Sequence, residues 1–297
     1  MKVSGFTFIK NGVRFYYPFI ESLKSMLPLV DELIVNIGLP DDDGTENMIK
    51  KKIKDKKLKI IKSKWDPEFK VKSRILAQQT NIALYQCSGD WCLYLQADEV
   101  LHEDDYDKIY ESMKRNLNDN RVEGLLFNYI HFFGSYKTYV RSYHWYRKEI
   151  RIIRNHIGIT SFKDAQSFRL DCKKLRVKES GGRVFHYGWV RPPEAMIAKK
   201  QFHDSLHHGD KVYNEEKEKY NIYFEFVNQI DPYMIDYFKG SHPSVMKERI
   251  KEWKYVFDKK MSKHKLSKRD IRYRISDWFA NLTGIRVGEY KNYKLLK

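Results

Sequence analysis

Short apolar runs alternate with amphipathic stretches through the first third of the chain. Residues 3–9 (VSGFTFI) form a continuous run of β-formers that stops at Lys10-Asn11-Gly12. Over residues 17–27, Phe19, Ile20, Leu23, Met26 and Leu27 recur at three and four, which predicts a helix. Residues 32–37 are a second apolar run, ended by the turn-rich stretch 38–44. Thr45 is placed to cap a helix over residues 46–54. A third strand is predicted over 58–63 (LKIIKS) and a fourth over 91–95 (WCLYL). Between them, residues 73–87 predict a helix with Ile75, Leu76, Thr80, Ala83 and Leu84 inward. Strands alternating with helices argue for an α/β fold with parallel neighbours in the sheet.

The pattern then changes. Residues 121–136 (RVEGLLFNYIHFFGSY) predict a strand feeding an aromatic loop. Residues 147–155 (RKEIRIIRN) alternate charged and apolar positions, as a half-buried strand does. Gly181-Gly182 turn the chain into a short strand and then a dense cluster, HYGWVRPP. Past Pro193 the sequence becomes polar and helical. Residues 1–193 are therefore expected as one domain, and 194–297 as a mostly helical extension.

Charge sharpens that division. The chain has 56 Lys+Arg against 39 Asp+Glu, a net of +17, which points to an anionic partner or to a basic soluble surface. Residues 246–297 hold 16 basic and 6 acidic residues, a net of +10, punctuated by Trp253, Tyr255, Phe257, Trp278 and Phe279. Such a segment suits peripheral contact with anionic lipid, or covers a core with its aliphatic stems while the charges stay wet. No apolar run reaches the length of a membrane span. Three cysteines at no metal-like spacing, and no signal-peptide pattern, lead to a cytoplasmic expectation.

Candidate chemistry gathers at strand ends. In open α/β sheets ligands bind beyond the carboxyl ends of the strands. The run WCLYL stops at Gln96, and Asp98 and Glu99 follow; Lys10-Asn11 and Asp41-Asp42-Asp43 end the first two strands. Carboxylates there suit a divalent cation holding a diphosphate. The same acids, in ADEVLHEDD, also suit the start of a helix. His203 and His207 at i,i+4 suggest a zinc pair, but no further ligand set completes it.

The pieces VSGFTFIKN, VDELIVNIGLPDDDGT and SRILAQQTNIALYQCSGDWCLYLQADE, in that order, resemble the family 2 glycosyltransferases. These are nucleotide-sugar enzymes of the GT-A fold, a mixed, mainly parallel sheet flanked by helices. The closest flavour is the bacterial lipopolysaccharide-core glucosyltransferases. The resemblance spans residues 3–190 or so. It implies that Phe8, Lys10, Asn11, Asp43, Arg74, Gln96, Ala97, Asp98 and Arg191 contact the nucleotide sugar. It implies Mg²⁺ or Mn²⁺ on Asp98 and His186. Gln96 stands where the family's first DxD acid would be, which removes one charge from the cation's site, and Asn36-Ile37-Gly38 replace the acid after the second strand. Asp164, by position, is the implied general base. Glu99, Trp145 and Trp189 are implied acceptor contacts, with Tyr129, Phe132, Phe133 and Tyr136 as further aromatic candidates or core.

The expected function is an inverting, metal-assisted transfer of a sugar from a nucleotide donor to a hydroxyl of a glycan or glycolipid. A nucleotidyltransferase would use the same diphosphate site. A nucleic-acid binder working through the basic aromatic tail is the alternative of another class. No nucleic-acid-binding motif is present to support it, so nucleic acid is not expected as a partner.

Overall fold

The computed structural model describes residues 1–66, 74–142, 145–216, 230–262, 264–286 and 289–296, leaving out the side chains of 207–216 and 261. Ser73, expected to open a helix, and the side chains of His207 and His208 lie outside that description.

Strands β1 (Val3–Ile9), β2 (Glu32–Leu39), β3 (Leu58–Lys64) and β4 (Trp91–Tyr94) run parallel in the order β3-β2-β1-β4. Helices α1 (Phe19–Met26), α2 (Thr45–Lys52) and α3 (Arg74–Leu84) connect them. Central parallel strands are covered on both faces, so their sequences are apolar at nearly every position. β1 shows this: only Phe8 is not buried. Its side chains still divide by the pleat. Val3 and Ile9 join the core under α1, α2 and α4 (Tyr106–Arg115), and Phe6 joins the opposite core against α3.

The sheet then becomes mixed. β6 (Gly124–Phe133) and β8 (Lys148–Arg154) pair antiparallel, with β8 also antiparallel to β4. β12 (Arg176–Trp189) lies parallel to β6 and carries β5 (Glu99–Leu101) antiparallel on its other edge. β9 (Thr160–Phe162), β10 (Ser167–Leu170) and β11 (Lys173–Lys174) form a small separate sheet. The expected mixed α/β sheet, largely parallel and flanked by helices, is what forms.

Three local expectations are corrected. In ADEVLHEDD the helix start comes late: residues 99–101 are strand β5, and only the last three acids, Glu103–Asp105, form a 3-10 turn that runs into α4 at Tyr106. Pairing of His186 with Glu99 along β12 draws that stretch into the sheet. Thr45 is not the cap of α2; Gly44 is, with a φ of 78°. Asp41 accepts from the Thr45 and Glu46 amides, while the Thr45 hydroxyl accepts from Gly12 N–H. Third, residue 193 is not a physical boundary. Within the region beyond it lie α5 (Pro193–Glu216), β13 (Ile235–Tyr237), α6 (Lys247–Lys251), α7 (Lys268–Thr283) and β14 (Lys294–Leu295). β13 pairs with β7 (Thr138–Val140), β14 pairs with β12, and Met246 is buried against Phe132, Phe185 and Tyr187. Among the described residues no helix is long and apolar enough to cross a membrane.

Candidate functional site

A cleft of about 520 Å³ opens over the carboxyl ends of β1 and β4. Its lining includes Phe8, Lys10, Gln96, Ala97, Asp98, Trp145, Asp164, His186 and Trp189, all of which the sequence singled out. Five other candidates do not line it. Asn11 is a buried turn residue with φ 54° whose carbonyl accepts from Phe15 N–H. Asp43 staples the loop before α2, accepting from Arg14 N–H and from Thr45. Arg74 is exposed at the first turn of α3. Glu99 and Arg191 are buried behind the cleft.

Glu99 is a correction with a clear physical reason. Its carboxylate takes a two-pronged bond from Arg151, at 2.8 and 2.7 Å, and a third from Tyr129 hydroxyl at 2.8 Å. Both partners of the ion pair are fully buried. Glu99 also accepts from Gln96 N–H at 3.0 Å, so it shapes the turn that presents Asp98. Arg151 in turn donates to Gln166 O, and the Gln96 side-chain amide donates to Ala165 O. Gln96 directly, and Glu99 through Arg151, thus brace the β9–β10 hairpin across the cleft. Gln96 makes this bond with its side-chain amide N–H while still lining the cleft.

That hairpin carries Asp164 at its tip. Lys163 and Ala165, on either side, sit at φ 56° and 62°, an uncommon conformation for residues with a Cβ. Asp164 itself is exposed and lines the cleft.

Asp98 is buried and faces three basic groups. Lys199 Nζ lies 3.2 Å, Arg191 3.6 Å and His186 Nε2 3.8 Å from its Oδ2. Burial alone would raise its pKa; Lys199, with His186 and Arg191, holds it well below the ordinary carboxylate range. Arg191 bonds the Phe15 and Gly188 carbonyls and stacks on Tyr17. It therefore supports Asp98 from behind, buried away from the cleft, rather than lining it as a nucleotide-sugar contact would. Lys199, on α5, was not singled out. It is 101 positions from Asp98 in the chain, and no local pattern marks it. Burial pushes its ammonium down to about 8.

His186 has a defined tautomer. Its Nδ1 lies 3.0 Å from Nδ1 of His131, whose Nε2 lies 2.6 Å from Tyr146 O. A carbonyl only accepts, so His131 carries its proton on Nε2 and accepts at Nδ1. His186 must then donate from Nδ1, leaving the lone pair of Nε2 aimed toward Asp98. Burial pushes the His186 pKa down to about 4, so the ring is neutral.

Two acceptors, Nε2 and Oδ2, thus face one another across a gap. Gly188 borders the gap. A Cβ there would lie 2.6 Å from His186 Nε2 and 2.9 Å from Asp98 Oδ2. Gly188 has no positive φ, so space rather than conformation explains the glycine. Asp98 and His186 fit a divalent cation between them, with His131 as the outer partner that fixes ring orientation. Gln96, engaged with the hairpin, adds no charge.

Aromatic rings wall the rest. Trp145 and Trp189 meet at 5.4 Å, and His131 packs edge-on against Trp145 at 5.2 Å. Phe202 of α5 touches both Phe15 and Trp65, and Trp65 packs on Phe8. Tyr129, Phe132, Phe133 and Tyr136 are core residues. Another cluster, Asp231, His264 and Asp270, is held internally: Asp231 is forked by Arg274, and Asp270 accepts from Ser267, the N-cap of α7.

No protein-family model matches the chain, and no curated protein matches it. Among solved structures it is similar to S. aureus TarS 1-349, at 13% identity and a TM-score of 0.35, over 76% of this chain and 72% of that one. It is also similar to glucosyl-3-phosphoglycerate synthase from Mycobacterium tuberculosis, solved with Mn²⁺, UDP and glucosyl-3-phosphoglycerate. That match is 18% identical, with a TM-score of 0.31, over 45% of each chain. A third similarity is to 4-diphosphocytidyl-2C-methyl-D-erythritol synthase from Anaerococcus prevotii, at 11% identity and a TM-score of 0.31, over 52% of this chain and 70% of that one.

Proposed function

We propose that the chain is a nucleotide-sugar-dependent glycosyltransferase of GT-A type, with the cleft as its active site. The observation that carries this reading is the gap between Asp98 Oδ2 and His186 Nε2, two acceptors held 3.8 Å apart beside a glycine. It lies at the end of β4, where an α/β sheet binds its ligand. Asp98 and His186 would hold a divalent cation, Mg²⁺ or Mn²⁺. Such a cation, when bound, neutralises charge on a diphosphate.

The chain's own residues divide the remaining work. Lys10 and Lys199 bring positive charge to the cleft that receives an anionic leaving group. Phe8 and Trp65 offer a face to the nucleotide base. Trp145 and Trp189 offer apolar faces to sugar rings at the open side. Asp164 takes the proton from the acceptor hydroxyl, on the hairpin braced by Gln96 and Arg151. The acceptor class is a hydroxyl of a glycan or glycolipid, as in the lipopolysaccharide-core enzymes that the motif order resembles.

Nucleotide release from a panel of UDP-, GDP-, ADP- and dTDP-sugars, with Mn²⁺ and with chelator, tests the reading. One donor should be consumed in preference to the others. If no donor is consumed and no nucleotide raises the melting temperature, the assignment fails.

A further inference from the structure

Helix α7 is inside out. An ordinary surface helix turns its apolar stripe to the core and its charges to water. In α7 the buried residues are Asp270, Asp277 and Ala280. Its inner face is fastened by polar contacts: Arg274 forks onto Asp231 at 3.0 and 2.7 Å, and Asp270 closes a capping box with Ser267 and bonds His264. The outer face carries Ile271, Ile275, Trp278, Phe279 and Leu282, spaced at four, three, one and three, with Ile285 just beyond the helix. Ile275, Trp278 and Leu282 are 60%, 62% and 70% exposed, far above what a core-facing stripe shows.

The charges of α7 are sorted the same way. Both of its acids are buried, whereas Lys268, Arg269 and Arg272 are exposed. The exposed residues of α7 are therefore apolar or basic apart from Asn281 and Thr283, and none is acidic. A second copy of this face would bring like charges together, which opposes self-association. An anionic bilayer satisfies both features at once. Its headgroups take the Lys and Arg, and its acyl boundary takes the Ile, Leu and Trp stripe.

We propose that the outer face of α7 is a membrane-docking surface for anionic lipid, lying in the plane of the interface rather than crossing it. The proposal stands apart from the transferase reading, because lipid binding is read without any substrate. It narrows the acceptor to one presented at a membrane if that reading also holds.

Sedimentation of the full chain with vesicles tests it. Vesicles of phosphatidylcholine and phosphatidylglycerol in equal parts should carry the protein down at low salt; pure phosphatidylcholine should carry down much less. Ile275→Glu/Leu282→Glu should weaken binding by about tenfold or more for each buried side chain lost. Lys268→Glu/Arg272→Glu should weaken it as well, and the residual binding should depend less on salt. All four positions are exposed, so the melting temperature should hold. Wild-type protein left in the supernatant, or variants that sediment as wild type does, would overturn the proposal. So would a dimer, seen by light scattering, that Ile275→Glu/Leu282→Glu dissolves; the face would then close on a second copy.

Discussion

His131 Nδ1 lies 3.0 Å from His186 Nδ1, and this contact decides which nitrogen of His186 is free. Replacing His131 by Phe keeps a ring among Trp145, Tyr146 and Tyr129 but removes the acceptor. His186 would then be released to the other tautomer. Loss of such an outer partner typically lowers metal affinity by roughly 10–100-fold. Calorimetric titration with Mn²⁺ reads this directly. Unchanged affinity would make His131 a core residue and nothing more.

Gly188 gives an independent check on the same gap. In Gly188→Ala the new Cβ would stand within 2.6 Å of His186 Nε2 and 2.9 Å of Asp98 Oδ2. Mn²⁺ binding should be lost, and turnover with it, while the secondary structure persists because the backbone at 188 does not need glycine. Normal Mn²⁺ binding by this variant would place the cation elsewhere.

Asp98→Asn should remove activity and also stability. The carboxylate is the shared counter-charge of buried Arg191 and of Lys199, whose side chain is 18% exposed. Removing one partner of a buried pair costs about 3–5 kcal/mol, since the other charge is left uncompensated. The melting temperature should fall by several degrees. Adding Lys199→Gln should restore part of that loss without restoring turnover. A single variant as stable as wild type would mean that the cations rearrange freely into water.

Glu99→Gln separates bracing from acceptor binding. Loss of charge opposite fully buried Arg151 should cost about 3–5 kcal/mol and loosen the Asp98 turn. Thermal melting should register it before any kinetic assay does. A raised KM for acceptor at unchanged melting temperature would return Glu99 to the acceptor site.

How much of this was legible in the sequence depends on the range of each interaction. The strands β1, β2 and β4 were readable because strands covered on both faces must be apolar throughout. Asp98 was readable because it interrupts the end of such a run. Glu99 looked equivalent one position later, yet the pleat of β5 turns it to Arg151, 52 residues away. Lys199 and His131 had no local signature, since their roles arise from α5 and β6 being brought to one point. Arg191 was recognised as a basic residue near the site, but its burial among Tyr17, Phe15 O and Gly188 O is a property of packing alone. The stripe of α7 was visible as aromatic punctuation. Its outward orientation was not, because a helical period tells where a face lies and not what covers it.

Asp164 offers the sharpest test of the chemistry. It sits exposed at a hairpin tip whose geometry is set by neighbours rather than by its own side chain. Asp164→Asn should therefore leave the fold, Mn²⁺ affinity and donor affinity close to wild type. Transfer to acceptor should fall by about 10²–10⁴-fold, the usual contribution of a positioned base. The loss should appear in kcat rather than in the KM for donor, because the carboxylate acts on the acceptor's proton in the transition state. Hydrolysis of the donor by water, where it occurs, should slow by a similar factor if Asp164 also deprotonates water. A collapse of donor binding instead would assign Asp164 to the nucleotide, and wild-type transfer would leave Glu149, 2.9 Å from the Gln166 amide just behind the cleft wall, as the next carboxylate to test.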